Sequence, residues 1–314
     1  MKKIIGIFGY GSQGRAHALN LRDSGNNVLI ANIEDKYQKR AKKDNFKIYT
    51  FKYVAQKADI IFLLLPDHLH KTVYKDVLEK HLKTGSSIIV AHGYSLYFKE
   101  LKISKNFNWF LLAPRLPGPP QRDLYLQKKK IPAFYSDIYL RKPENIKIIK
   151  KLSKDLKFAL DKDMRTNYVE ETELDLFLEQ YVIPKIIFTF EQSFNFLKKK
   201  GFNKKVMIMD LYGSGEVADQ IYRAAKVGLH QIWQNEASPT CRFGVMKSIK
   251  KFEKQKYKEF KLMDNVLKNI RSGDFNKELN LEYRSDLQSL KKFDKKNNES
   301  IFYKTLLSIN KVLK

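Results

Sequence analysis

Apolar and polar positions give the chain two textures. Up to about Thr166, short apolar runs alternate with stretches of helical periodicity; beyond it only the helical periodicity continues. Residues 3–8 form the first apolar run, 15–24 read as a helix stopped by Gly25, and 28–31 form the second run. A polar helix reaches about Lys43, and 47–49 predict a short strand. Residues 58–65 are a continuous apolar run ending at Pro66-Asp67, as a parallel strand covered on both faces requires. His68 and His70 are expected in the following loop, where a pair without a nearby third ligand reads as surface rather than metal site. A helix over 71–82 leads to strands at 87–91 and 109–112. A further strand over 131–135 carries Pro132, which places it at a sheet edge or at a strand start. Such alternation predicts an α/β domain with a parallel sheet over residues 1–166. Residues 167–314 then predict an all-helical domain. Its helices are expected from Glu170 to about Lys198, over 214–225 and 227–236, over 247–271, and over 299–313, with a linker at Ser238-Pro239-Thr240.

Between the first two apolar runs lies Gly9-Tyr10-Gly11-Ser12-Gln13-Gly14. Strand, glycine turn, helix, strand is the context in which G-x-G-x-x-G marks a dinucleotide site. Gly9 permits the tight turn, Gly11 lets the backbone approach a pyrophosphate, and Gly14 lets helix and strand pack closely. The helix start offers unpaired N–H groups and the positive end of its dipole to phosphate. At the end of the second strand, Glu34 or Asp35 suits a ribose 2′-hydroxyl and therefore NADH. Lys36, Lys39 and Arg40 suit a 2′-phosphate and therefore NADPH. Both cofactors stay open.

Composition trims the remaining choices. The 314 residues are 43% hydrophobic, enough for two cored domains, and no stretch is long and apolar enough for a membrane span. Gly6 and Gly9 interrupt the opening run, which reads as a strand and not a secretory signal. One cysteine, Cys241, excludes an internal disulfide framework, and a cytoplasmic enzyme is expected. The net charge of +26 is spread over nearly every predicted helix without a nucleic-acid motif, so it reads as solvated lysine faces. A positive field of this kind draws in anionic cofactors and carboxylate substrates.

Ligands of open parallel sheets bind at the carboxyl ends of the strands, where His92 and Arg115 fall, and both are site candidates on that ground. In the helical half, Asp175 and Glu179 stand four apart on one helix face beside a stripe of Leu174, Phe177, Leu178 and Tyr181. A hard cation such as Mg²⁺ between them would relieve their repulsion.

Taken together these residues resemble the ketol-acid reductoisomerase (acetohydroxy-acid isomeroreductase) family from Ile4 to about Leu313. The resemblance rests on the glycine loop continued through Ala16-His17-Ala18 to Gly25, on Leu64-Leu65-Pro66-Asp67, Ala91-His92-Gly93 and Ala113-Pro114-Arg115-x-Pro117-Gly118, on Glu170-Glu171-Thr172-Glu173-x-Asp175-Leu176-Phe177-x-Glu179-Gln180, and on Ser272-Gly273-x-Phe275. It implies a Rossmann domain followed by a knotted helical domain, a homodimer or larger homo-oligomer, and NADPH or NADH with Mg²⁺. The implied reaction is alkyl migration and reduction of a 2-hydroxy-2-acyl acid in branched-chain amino-acid synthesis. It further implies that Asp175 and Glu179 are metal ligands, that His92 is the active-site histidine, and that Pro66, Asp67 and Gly118 border the cofactor. The chain departs from the family at several points. Counted without gaps from Asp219-x-Ile221-Tyr222, two further carboxylate positions hold Met209 and Gly213, with Asp210 and Glu216 nearby but out of register. At a spacing of six, these two acids do not share a helical face. Arg115 replaces a lysine, Gln234 a substrate-contacting serine, and Ile33, Lys36 and Gln38 the groups that grip a 2′-phosphate. A site short of two carboxylates would lose isomerisation first. The alternatives are therefore a plain NAD(P)H-dependent 2-keto acid reductase and a non-catalytic nucleotide- or nucleic-acid-binding protein.

Overall fold

The computed structural model describes residues 3–311, apart from the side chain of residue 163. Its contacts divide the chain into two units, Met1–Leu174 and Asp175–Lys314.

In the first unit, β1 (Ile4–Phe8), β2 (Asn27–Ala31), β3 (Ile48–Tyr49), β4 (Ile60–Leu63), β5 (Ser87–Val90), β6 (Asn108–Pro114), β7 (Ile131–Tyr139) and β8 (Phe158–Ala159) form one sheet in the order β3-β2-β1-β4-β5-β6-β7-β8. β1 to β6 are mutually parallel, and β7 runs antiparallel to β6. The strand order reverses direction between β1 and β4, the crevice where such sheets bind dinucleotides. Every residue of β4, β5 and β6 is buried, because each face of the sheet carries its own apolar cluster. Ile7, Phe62, Ile89 and Phe110 project to one face and Phe8, Ile61, Ile88 and Trp109 to the other, following the two-residue period. Pro132 marks the start of β7 and not a sheet edge, since β8 pairs beyond it.

Helices α1 (Ser12–Asp23), α2 (Lys36–Lys43), α3 (Phe51–Lys57), α4 (Asp67–Val73), α5 (Glu79–His81), α6 (Tyr94–Tyr97), α7 (Gly118–Leu126) and α8 (Ile146–Leu156) fill the connections. Asp35 caps α2 and Thr50 caps α3 through side-chain oxygens, whereas α1 starts at Gly11 with no side-chain cap. The loop expected to hold His68 and His70 is the first turn of α4, because Pro66 starts a helix that then runs on through a π-helical turn, Tyr74–Leu78, into α5. His70 is buried, which overturns its expected place at the surface.

Helix α9 (Tyr168–Phe177) leads through a π-helical turn, Leu178–Val182, into α10 (Ile183–Lys199), where one long helix was expected. Then follow α11 (Lys204–Ile208), a π-helical turn Met209–Gly213, α12 (Glu216–Val227), α13 (Leu229–Glu236), α14 (Pro239–Glu253), α15 (Lys256–Ser272), α16 (Asp274–Arg284), α17 (Gln288–Glu299) and α18 (Ile301–Asn310). The expected linker at 238–240 is a helix start, with Ser238 accepting from the Cys241 amide and Pro239 in the first turn, a position that needs no N–H donor. The second unit buries little: Phe194, Met207, Ile208 and Ile309 centre its one apolar cluster among the described residues.

Candidate active site

The glycine loop follows β1 directly, and at Gly9 and Gly14 the backbone has no room for a side chain. Gly9 has φ +98°, and a β-carbon there would lie 2.7 Å from the Leu64 carbonyl oxygen. At Gly14 a β-carbon would lie 2.0 Å from the Gly9 carbonyl oxygen, so only glycine lets α1 sit this close to the loop. A β-carbon on Gly11 meets nothing within 4 Å. Gly11 is also the N-cap residue of α1, which has no side-chain cap. Ser12 Oγ accepts from the Gly118 amide at 3.1 Å, while Gln13 Nε2 donates to the Leu116 carbonyl and Gln13 Oε1 accepts from Gln121 Nε2. Ser12, Gln13 and Gly118 thus join the glycine loop to the loop after β6. Tyr10 is turned the other way: its fully buried ring reaches Asp44, and its amide donates to Asn32 Oδ1 at 2.9 Å. Burial and the Asp44 carboxylate hold the Tyr10 hydroxyl neutral.

A second constellation forms at the carboxyl ends of β5 and β6. Glu171, on α9, is 1% exposed. Its Oε2 accepts the Gly93 amide at 2.8 Å and lies 4.0 Å from His92 Nε2, and its Oε1 accepts from Arg115 Nη1 at 3.1 Å. A buried carboxylate is tolerable only with this kind of compensation. Gly93 has no room for a side chain, since a β-carbon there would lie 2.5 Å from Thr172 Oγ1 and 2.6 Å from the Tyr168 carbonyl. Tyr97 donates to Glu173 Oε1 at 2.9 Å, a further tie between α6 and α9. Arg115 also lies 5.1 Å from the Phe134 ring centroid, a planar cation stacked on an aromatic face. Helix α9 runs without interruption to Phe177 and carries Asp175 one turn beyond Glu171. Ligand atoms of His92, Glu171 and Asp175 fall within 4.8 Å of one another. Glu179, a turn further, is exposed within the π-helical turn.

Beside His92, the buried His70 places Nδ1 2.8 Å from Ser95 Oγ, and its Nε2 donates to the Leu65 carbonyl. Asp67, at the start of α4, is 3.7 Å from His70 Nδ1 and accepts from Ser95 Oγ at 3.4 Å. Burial lowers the His70 pKa and leaves the imidazole neutral.

Asp210 and Glu216 lie in the second unit. Asp210 lies in the π-helical turn and Glu216 at the start of α12, so they share no helical face. The π-helical turn Met209–Gly213 and the left-handed Gly215 (φ +84°) break the helical period between them. Both line one cavity of about 560 Å³, with Lys205, Met209, Ser214 and Ile309.

Glu171 was absent from the candidates drawn from sequence. Its signal was its place four before Asp175, a third acid on one face of α9; its burial was not legible.

The chain carries this geometry from end to end in company. A family profile described as "Acetohydroxy acid isomeroreductase, NADPH-binding domain" matches residues 1–141, and one described as "Ketol-acid reductoisomerase, C-terminal domain" matches residues 168–312. The chain belongs to the ketol-acid reductoisomerase family. This family is one of NADP-dependent oxidoreductases. A ketol-acid reductoisomerase (NADP(+)) of Methanocaldococcus jannaschii is 30% identical over 301 residues, covering 94% of this chain and 89% of the relative. Among solved structures, an NADH-preferring ketol-acid reductoisomerase from an uncultured archean shares the fold with a TM-score of 0.89 at 24% identity, covering 98% of this chain and 94% of that one. A semialdehyde dehydrogenase NAD-binding protein from Cupriavidus necator, solved with calcium and NAD, gives a TM-score of 0.65 at 16% identity, over 87% of this chain and 99% of that one.

Proposed function

We propose that the protein is a ketol-acid reductoisomerase of branched-chain amino-acid synthesis. It would convert a 2-hydroxy-2-acyl acid into a 2,3-dihydroxy acid with NAD(P)H and Mg²⁺, as a cytoplasmic homodimer or larger homo-oligomer. The observation that carries this reading is the buried Glu171, which holds His92, Gly93 and Arg115 at the strand ends while its helix carries Asp175 beside them. Asp175 and Glu179, with Asp210 and Glu216 from the second unit, are the oxygen donors a hard cation takes. When bound, Mg²⁺ would stabilise the negative charge that gathers on two adjacent substrate oxygens during migration.

The chain's own groups do the rest. Glu171 accepts from both Gly93 and Arg115, so its work is to fix these two, and a guanidinium at this end of the sheet suits a substrate carboxylate. His92 would pass a proton to or from a substrate oxygen at the same end of the sheet. The glycine loop and the start of α1 grip the diphosphate.

A plain 2-keto acid reductase draws support from Met209 and Gly213 in the ungapped register and from Arg115 in place of lysine. Against it stand Asp210 and Glu216, which share one cavity wall. Oxidation of NADH and NADPH with 2-acetolactate and, separately, with 3-hydroxy-3-methyl-2-oxobutanoate, each with and without Mg²⁺, tests both. Turnover of both compounds is expected; turnover of the second alone leaves a reductase without isomerase activity, and turnover of neither removes the assignment. Asp175→Asn is expected to abolish the Mg²⁺-dependent rate, and an unchanged rate would take Asp175 out of the site.

A further inference from the structure

NAD and NADP differ only at the adenosine 2′ position, a hydroxyl in one and a phosphate in the other. In a glycine-loop β-α-β unit that position meets the residues after β2. Here those residues are Asn32, Ile33, Glu34 and Asp35, and their hydrogen bonds are nearly all spent. Asn32 Oδ1 accepts the Tyr10 amide at 2.9 Å, and its Nδ2 donates to the Ile33 carbonyl at 2.7 Å and to Asp35 Oδ1 at 2.9 Å. Asp35 Oδ1 also accepts the amides of Tyr37 at 2.8 Å and Gln38 at 3.1 Å. The first-turn N–H groups of α2, the natural donors to a phosphate, are therefore taken by a fixed carboxylate. Glu34, exposed, adds a second acid beside it. Two of the basic residues of α2 lie against a ring: Lys36 Nζ is 5.1 Å and the Arg40 guanidinium 5.7 Å from the Tyr37 centroid.

We infer that Asp35, with Glu34 behind it, makes this chain prefer NADH over NADPH, unlike the NADP⁺ in the name of its M. jannaschii relative. The inference rests on the dinucleotide reading of the glycine loop. A carboxylate accepts a hydrogen bond from a 2′-hydroxyl, and it repels a phosphate that brings nearly two negative charges and needs donors. The general positive field of the chain attracts both cofactors and does not discriminate between them.

The test is direct binding of NADH and NADPH to the full-length protein, followed by nicotinamide fluorescence without substrate or metal. The wild-type chain is expected to bind NADH about ten-fold tighter or better, a difference of ~1.4 kcal/mol. Asp35→Ser keeps a side chain able to cap α2 and removes the charge. It should tighten NADPH about ten-fold with the melting temperature unchanged, and Glu34→Gln, at an exposed position, should shift the ratio the same way by less. Equal or tighter NADPH binding by the wild type, or a ratio that neither substitution moves, overturns the inference alone. Failure to bind either cofactor overturns the dinucleotide reading together with it.

Discussion

Single atoms decide how the glycine loop responds to substitution. Gly11 has φ −67°, open to any L-residue, and nothing stands where its β-carbon would go. Gly11→Ala should therefore leave the melting temperature unchanged while weakening NADH binding about ten-fold or more, because the added methyl occupies the room of the diphosphate. Gly14→Ala drives a β-carbon against the Gly9 carbonyl and should lower stability by roughly 1–3 kcal/mol even without cofactor, the usual cost of overpacking. Thermal unfolding and fluorescence titration on the same two variants separate these outcomes; equal loss of stability in both would contradict the geometry. Glu171→Gln is the corresponding probe of the second constellation. The amide can still accept from Gly93, but Arg115 loses its buried counter-charge. Loss of turnover is expected, with destabilisation below the ~3–5 kcal/mol cost of removing one partner of a buried pair outright. Wild-type turnover would reduce Glu171 to a packing residue.

Helix α1 carries the clearest pH signature. His17 lies wholly buried on it between the rings of Phe62 and Phe158, at 5.4 and 5.7 Å, and its Nδ1 donates to the Gln13 carbonyl. Burial lowers its pKa from 6.5 to about 4. Between these values the unfolded chain takes up a proton that the folded chain refuses. Stability is therefore full above pH 6.5 and falls as the pH drops toward 4, by about 1.4 kcal/mol per pH unit at most for one group. Urea unfolding of the wild type and of His17→Gln across that window should show a shallower slope in the variant. Parallel slopes would mean that other groups carry the pH dependence.

For the whole molecule the question is what covers the second unit. Its single small apolar cluster leaves Ile187, Phe188, Phe243, Phe252, Tyr257 and Phe260 exposed at 52% or more. Large exposed apolar side chains of this kind favour burial against a second copy. A homodimer or larger homo-oligomer is the expected state in sedimentation or light scattering, despite the self-repulsion of a +26 chain. Ile187→Asp together with Phe188→Asp should shift the population toward monomer by at least ten-fold in dissociation constant. A monodisperse wild-type monomer would refute the assembly.

Local pattern was enough for much of this protein. Residues next to one another in sequence set the period of each element. The apolar runs therefore announced β1 to β7 but not the two-residue β8, and the loss of alternation near Thr166 announced the helical half. The glycine loop was legible because its glycine spacing sits directly between a strand and a helix, and Gly14 makes its tight contact with Gly9 inside the loop. What reached across the chain was not. The Glu171 carboxylate meets Gly93 over 78 positions, His70 turned from an expected loop residue into a buried one, and two acids six apart came to one cavity through a π turn. That Asp35 caps α2, its Oδ1 accepting the amides of Tyr37 and Gln38, shows only in the folded chain. Sequence spacing fixes which side chains share a face; burial and the partners of a polar atom depend on which distant elements pack there, and tertiary structure alone decides that.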